Sequence, residues 1–153
     1  QDFEFLPAPF DGMFIALNLT WTDGDSTFKF EDNQSFTTPF RKLSDKQENF
    51  SIGYDKGKFD IRLAMNSRGE YLDWLADEES DIDKVSLQNS RFVAPHEQWD
   101  LKASYEINDN FRLKFEITNI EDRPEYYYWG YNDRLSQYDE YGTSYAIGFT
   151  YNN

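Results

Sequence analysis

The chain has 153 residues, with 15 Lys and Arg against 29 Asp and Glu, so its formal net charge is −14. That length allows one ordinary domain, and so acidic a chain excludes nucleic acid as a partner because it has no basic stripe to neutralise phosphates. The lack of Cys and the single His, His96, exclude disulfides, thiolate chemistry and His-pair metal sites. Mean hydropathy is −0.84, and no run reaches the length of a spanning helix. Against these polar averages stand 14 Phe, 11 Tyr and 4 Trp, too many rings for a disordered acidic chain.

The chain opens at Gln1 without Met or a signal peptide, as expected of a processed chain or a piece of a longer one. The first regular pattern is the alternation of Ile15, Leu17, Leu19 and Trp21 with Ala16, Asn18, Thr20 and Thr22. A period of two predicts a strand with one apolar and one polar face. A long polar link follows, from about Asp23 to Gln47, and Asp23-Gly24-Asp25 reads as a turn. Phe50, Ile52 and Tyr54 mark the second strand. Lys56-Gly57 is a tight turn into a third, marked by Phe59, Ile61, Leu63 and Met65. A second long link runs from about Asp73 to Pro95. Trp99, Leu101, Ala103, Tyr105 and Ile107 mark the fourth strand, and Asn108-Asp109-Asn110 turns into a fifth at Phe111, Leu113, Phe115 and Ile117. The third long link spans about Tyr131 to Glu140, before Tyr145, Ile147, Phe149 and Tyr151 in the sixth strand. No segment carries the helical period.

Short turns at one end and long links at the other describe an antiparallel up-and-down meander. Its polar face carries full charges in mid-strand, including Asp60, Arg62, Lys102, Arg112, Lys114 and Glu116. Two architectures fit. In a soluble sandwich the apolar face packs on a second sheet. In an outer-membrane barrel it meets lipid, and the charged face lines a wet or plugged lumen. Strand length, loop asymmetry and aromatics at strand ends (Trp21, Tyr54, Trp99, Tyr126 to Trp129, Tyr151) suit the membrane. The smallest single-chain membrane barrels have about eight strands, so six strands predict an incomplete barrel.

The residues also carry a resemblance. Gln98-Trp99-Asp100-Leu101-Lys102-Ala103-Ser104-Tyr105, the turn Asn108-Asp109-Asn110-Phe111, and Phe115 through Asn119-Ile120-Glu121-Asp122-Arg123-Pro124 resemble the end of a TonB-dependent outer-membrane receptor. So do Gln137 through Tyr141-Gly142-Thr143-Ser144-Tyr145 and Ile147-Gly148-Phe149-Thr150-Tyr151. Phe10-Asp11-Gly12 and Asn66 through Leu72 are similar to earlier strands of such barrels. The family ends on an aromatic residue, whereas this chain ends Tyr151-Asn152-Asn153.

The resemblance implies an all-β fold, a transmembrane barrel segment covering about the last six of roughly 22 strands. It places the C-terminus in the periplasm and the long links outside the cell. The plug and the TonB box would lie elsewhere in the receptor. Implied partners are the plug and remaining strands, the TonB–ExbB–ExbD system, outer-membrane lipid and lipopolysaccharide, and the barrel-assembly machinery. The implied function is active uptake of a scarce or bulky nutrient, an oligosaccharide or an iron–siderophore complex, with no enzymatic step and no cofactor. A secreted β-sandwich carbohydrate-binding module is the alternative, and a sandwich hydrolase with paired carboxylates a third.

Trp74, Tyr127, Trp129 and Tyr131 are candidate stacking platforms for a ligand, with Asp133 and Arg134 as hydrogen-bonding neighbours. A headgroup girdle is the competing role for Tyr126 to Tyr128. In the acidic run, Asp77, Glu78, Asp81 and Asp83 offer oxygens to Ca²⁺, but without ordered ligand spacing a solvated loop is the simpler expectation. Asn119, Asp122 and Pro124 predict a side-chain-capped bend. His96, beside Pro95, is expected at the surface. Lumen charges, Glu106 among them, are expected to pair across strands.

Overall fold

The computed structural model describes residues 3, 5–29, 34–76 and 86–152. Among these residues, every regular element after a one-turn 3-10 helix at Phe10–Gly12 is a strand. In chain order these are β1 Met13–Trp21, β2 Asp25–Lys29, β3 Ser35–Pro39, β4 Lys46–Lys56, β5 Phe59–Arg68 and β6 Tyr71–Ala76. They continue with β7 Ser86–Val93, β8 His96–Asn108, β9 Phe111–Thr118, β10 Glu125–Trp129, β11 Leu135–Asp139 and β12 Ser144–Tyr151.

The six alternating runs all form strands. They pair antiparallel as β1-β4-β5-β8-β9-β12 in one open sheet, with β1 and β12 at its edges. Register explains why the alternation is so regular. Ile15, Ile52, Leu63, Leu101, Ile117 and Tyr145 form a single row across all six strands. On the opposite face, Phe14, Gly53, Arg62, Lys102, Glu116 and Ala146 do the same. A Cβ on Gly53 would sit 2.4 Å from the Phe14 ring, so only glycine admits that ring. The expected charge pairing holds for Lys102–Glu116 at 2.8 Å and for Arg112–Glu106.

The long links differ from the expected loops. The first contains the β2–β3 hairpin, the second contains β6 and β7, and the third begins at Asn119 and contains β10 and β11. Trp74 therefore lies in a strand. These strands form a second sheet in the order β11-β10-β7-β6. That order repeats β12-β9-β8-β5 below it, so each strand of the small sheet prolongs one strand of the large sheet. The breaks fall at 69–70, 94–95, 119–124 and 140–143. Pro95 and Pro124 lack the N–H that a continuous ladder needs.

Asn119 builds one of these breaks as the capped bend expected there. Its backbone is left-handed at φ 57°, as is Asp122 at 52°, a region Asn tolerates better than most residues. Its Oδ1 accepts the Arg123 N–H at 2.9 Å, and its Nδ2 donates to the Arg123 carbonyl at 3.1 Å. The Asn119 N–H donates to Asp100 Oδ1 at 3.0 Å, which ties the bend to β8.

The buried core lies in the upper sheet. Leu72 and Leu75 are buried, with Phe28 and Phe36 of the β2–β3 hairpin and Leu87 and Phe92 of β7 packed on them. Tyr128 is also buried, stacked on Phe92 at 5.6 Å, with its hydroxyl bonded to Glu70. The headgroup-girdle role therefore fails for Tyr128: its ring fills a core against a cross-strand neighbour.

Candidate functional site

Two features share one face of the molecule. The first is a concavity of about 460 Å³ at the top of the large sheet's polar face, within the size range of small-ligand sites. Its floor comes from β4, β5 and β8. Asn18, Asn49, Asn66 and Gln98 lie in register as a row of four side-chain amides across β1, β4, β5 and β8. The next row up holds Thr20, Gln47, Arg68 and His96. Asn49, Asn66, Gln47, Gln98, Arg68 and Tyr71 line the concavity. His96, at the start of β8, is half-buried and also lines it. Asn18, Asn49 and Asn66 are exposed, and no side-chain hydrogen bond joins them to another described residue. Gln98 differs, donating to Asp100 Oδ1 at 2.8 Å.

The second feature rises from this floor along β6, β7 and β10. Tyr71 pairs with Val93 and Val93 with Tyr127, while Trp74 pairs with Arg91 and Arg91 with Trp129. Cross-strand partners share a face, so Tyr71, Tyr127, Arg91, Trp74 and Trp129 stand on one side. The Trp74 and Trp129 rings meet edge to face at 5.8 Å. Trp74 is 46% exposed.

A chain of charges fixes these rings. Arg68 lies over the Tyr71 ring at 5.1 Å and donates to Glu125 Oε1 at 2.9 Å. Glu125 Oε2 accepts the Tyr127 hydroxyl at 3.0 Å. Arg91 lies over the Tyr127 ring at 5.3 Å, and its Nε donates to Asp73 Oδ2 at 2.7 Å. Burial works to raise the Glu125 carboxyl, but the hydrogen bonds from Arg68 and Tyr127 outweigh it and hold the group below the usual carboxylate range. Burial and the Glu125 carboxylate push the Tyr127 phenol up to about 12. At neutral pH Glu125 is therefore an anion and Tyr127 a neutral donor.

The structure brings together three of the six sequence-selected ligand residues: Trp74, Tyr127 and Trp129. Tyr131, Asp133 and Arg134 sit in the turn between β10 and β11, all exposed. The Arg134 guanidinium donates to the Gln88 carbonyl at 2.9 Å, so it braces the turn. Gly130, at φ 64°, lets that turn approach within 2.9 Å of the Ser90 carbonyl. A Cβ at Gly130 would collide with the Gln88 carbonyl at 2.2 Å. The Ca²⁺ candidates Asp77, Glu78, Asp81 and Asp83 lie outside the described residues, and among the described residues no three acidic or His side chains converge on a metal site.

Composition and alternation pass over the amide row. Only Asn18 stands between two apolar residues, Asn49, Asn66 and Gln98 each have a polar neighbour, and only the register aligns the four. Comparison with protein-family models, with curated proteins and with solved structures finds no match to this chain.

Proposed function

We propose that this chain is a C-terminal wall segment of a TonB-dependent outer-membrane receptor, which takes up a scarce or bulky nutrient. The observation that carries the reading is the apolar face of the six-stranded sheet. Ile147 is 78% exposed, Phe149 76% and Leu17 63%. In water so continuous an apolar surface is costly, at about 25 cal/mol per Å², whereas in lipid it is the expected outer wall. A sandwich module would cover this face with a second sheet. The four-stranded sheet instead prolongs the strands past its end, which favours the receptor reading.

The ends of the apolar band support the same reading. At the upper end Trp99 packs edge-on against Phe50 at 6.3 Å, and its indole N–H donates to Glu97 at 3.0 Å. The next row on that face is polar from β4 onward: Glu48, Ser67 and Glu97. At the lower end Phe59 meets Tyr105 at 4.8 Å, and Phe111 meets Tyr151 at 4.9 Å. Rings with one wet edge suit the two headgroup levels. From Trp99 to Ile107 the band runs for nine residues of β8, the lower end of the roughly 9–11 that a tilted membrane strand uses.

On this reading β1 and β12 pair with strands of the rest of the receptor, since open edges in lipid leave costly unpaired backbone groups. The polar face lines the lumen and meets the plug. The upper sheet stands outside the cell as part of the ligand vestibule, and TonB drives the release. The full-length parent protein provides the test. It is expected to fractionate with the outer membrane, to require detergent, and to migrate differently on gels before and after boiling. A parent protein that is freely soluble without detergent overturns the reading.

A further inference from the structure

We infer that the concavity floored by Asn49, Asn66 and Gln98 binds a neutral polyhydroxylated ligand, an oligosaccharide, and that the Trp74–Trp129 pair extends the same site upward. The inference rests on the receptor reading, under which this face lines a wet lumen.

The chemistry of the floor selects the ligand. A side-chain amide both donates and accepts hydrogen bonds, and so does a sugar hydroxyl. Neighbouring strands lie about 4.8 Å apart. The amide row therefore presents a donor–acceptor pair at each strand, at a spacing close to the width of a pyranose ring. Asn49 and Asn66 are exposed and make no side-chain bond to another described residue, so their capacity is open to a ligand.

Charge argues against an anionic chelate. The cation best placed for bidentate capture of a carboxylate is Arg68, and its guanidinium is already committed to Glu125 at 2.9 Å. Lys42 at the rim and half-buried His96 complete the basic groups around the concavity. Lower on the same polar face the character changes. There Lys102–Glu116 and Arg112–Glu106 are ion pairs around a second concavity of about 410 Å³. Paired charges of both signs suit contact with another protein surface. In the upper concavity the floor itself, Asn49, Asn66 and Gln98, carries amides and no charge, and the basic groups stand around it.

The wall supplies the complementary element. A pyranose has an apolar face of C–H groups that packs on an aromatic ring. Trp74 offers such a ring, half exposed and held by Trp129 at 5.8 Å. Arg91, bonded to Asp73, stands between them in the register, so the wall is braced before a ligand arrives. Preorganised rings lose little freedom on binding.

The test uses the purified full-length parent protein and an array of neutral glucans, xylans, mannans and galactans, with a ferric catecholate siderophore, an anionic chelate, as the competing probe. At least one neutral oligosaccharide is expected to bind and to quench tryptophan fluorescence. Asn66→Ala and Gln98→Ala are each expected to weaken that binding about tenfold, the loss of one or two hydrogen bonds. Lys114→Ala, on the lower lumen face, is expected to leave it unchanged. Heat-modifiable migration of every variant confirms folding. The inference is overturned if no neutral glycan binds, if both amide variants bind as the parent does, or if the siderophore binds in place of a glycan. Fractionation and detergent dependence judge the receptor reading separately. A detergent-requiring, heat-modifiable protein that ignores every glycan sinks this inference alone.

Discussion

The same strands pass through two different kinds of structure. In the six-stranded sheet the large apolar side chains are among the most exposed in the molecule, Ile147 and Phe149 both above three-quarters. A short break further along the strands, Leu75 and Val93 have no exposed surface at all. The lower sheet has ladders of seven to ten pairs, with one shift between Glu106 and Asn108, and no buried apolar cluster of its own among the described residues. The upper sheet has short strands, two interrupted registers, and a core closed by the β2–β3 hairpin. The difference teaches that the lower sheet is held by its ladder and needs a cover from its surroundings. The upper sheet covers itself.

The sharpest way to break this comparison is to damage each region in its own terms. Leu75→Ala removes a fully buried side chain beside Leu72. It is expected to cost about 2–5 kcal/mol, because the cavity collapses only in part. Chemical unfolding of the protein, with hydrogen exchange of β6 and β7 as the local readout, measures it. A loss below about 1 kcal/mol would show that the upper core is not the closed unit described above.

Ile147→Arg tests the lower sheet. If lipid covers that face, the substitution costs about 2–4 kcal/mol near the bilayer midplane. If water does, it changes a surface residue and stays within about 0.5 kcal/mol. Refolding into lipid vesicles separates the two outcomes, and the smaller value would remove the contrast between the sheets.

The third effect lies at the junction. Asn119→Ala removes the Oδ1 and Nδ2 bonds to Arg123 and puts a Cβ without a polar group at φ 57°. The expected loss is about 2–3 kcal/mol, from the left-handed backbone and the unpaired groups together. Asn119→Gly is expected to recover about 1 kcal/mol of it, since glycine accepts that φ freely. Equal losses for the two variants would assign the whole effect to the side-chain bonds.

The two regions also differ in how much of them could be read beforehand. All six lower strands were legible because a sheet with one apolar face writes its register as a period of two. The upper strands hid for the opposite reason. Tyr126-Tyr127-Tyr128-Trp129 shows no alternation because rings cover both faces: Tyr128 packs on Phe92 and Tyr127 lies under Arg91. Leu72, Trp74 and Leu75 break the period because the register shifts between Leu72 and Trp74. Aromatic type alone pointed to Trp74, Tyr127 and Trp129. Composition did not point to Asn49, Asn66 and Gln98: the first two face each other across one hairpin, but Gln98 joins them only through the pairing of β5 with the more distant β8. The bend at Asn119 was legible because its chemistry is local, with Asn, Asp and Pro within six residues.

The smallest effect is silent at neutral pH and concerns the link between the two sheets. Tyr127 donates to Glu125, which accepts from Arg68 of the lower sheet. Its phenol ionises at about 12 in the fold and at about 10 in an unfolded chain. A group whose folded value is raised contributes stability that is complete below the unfolded value and fades as pH rises through the folded one. The contribution of Tyr127 is therefore constant up to about pH 10 and lost by about pH 12. Tyr127→Phe removes the titration, so its stability relative to the parent protein is expected to improve across that window. Phenolate absorbance of the parent protein, compared with the variant, identifies the group. If the difference between the two proteins stays flat from pH 9 to 12, the phenol is not raised in the fold by burial or by its bond to Glu125, and Tyr127 does not steady the carboxylate that accepts from Arg68.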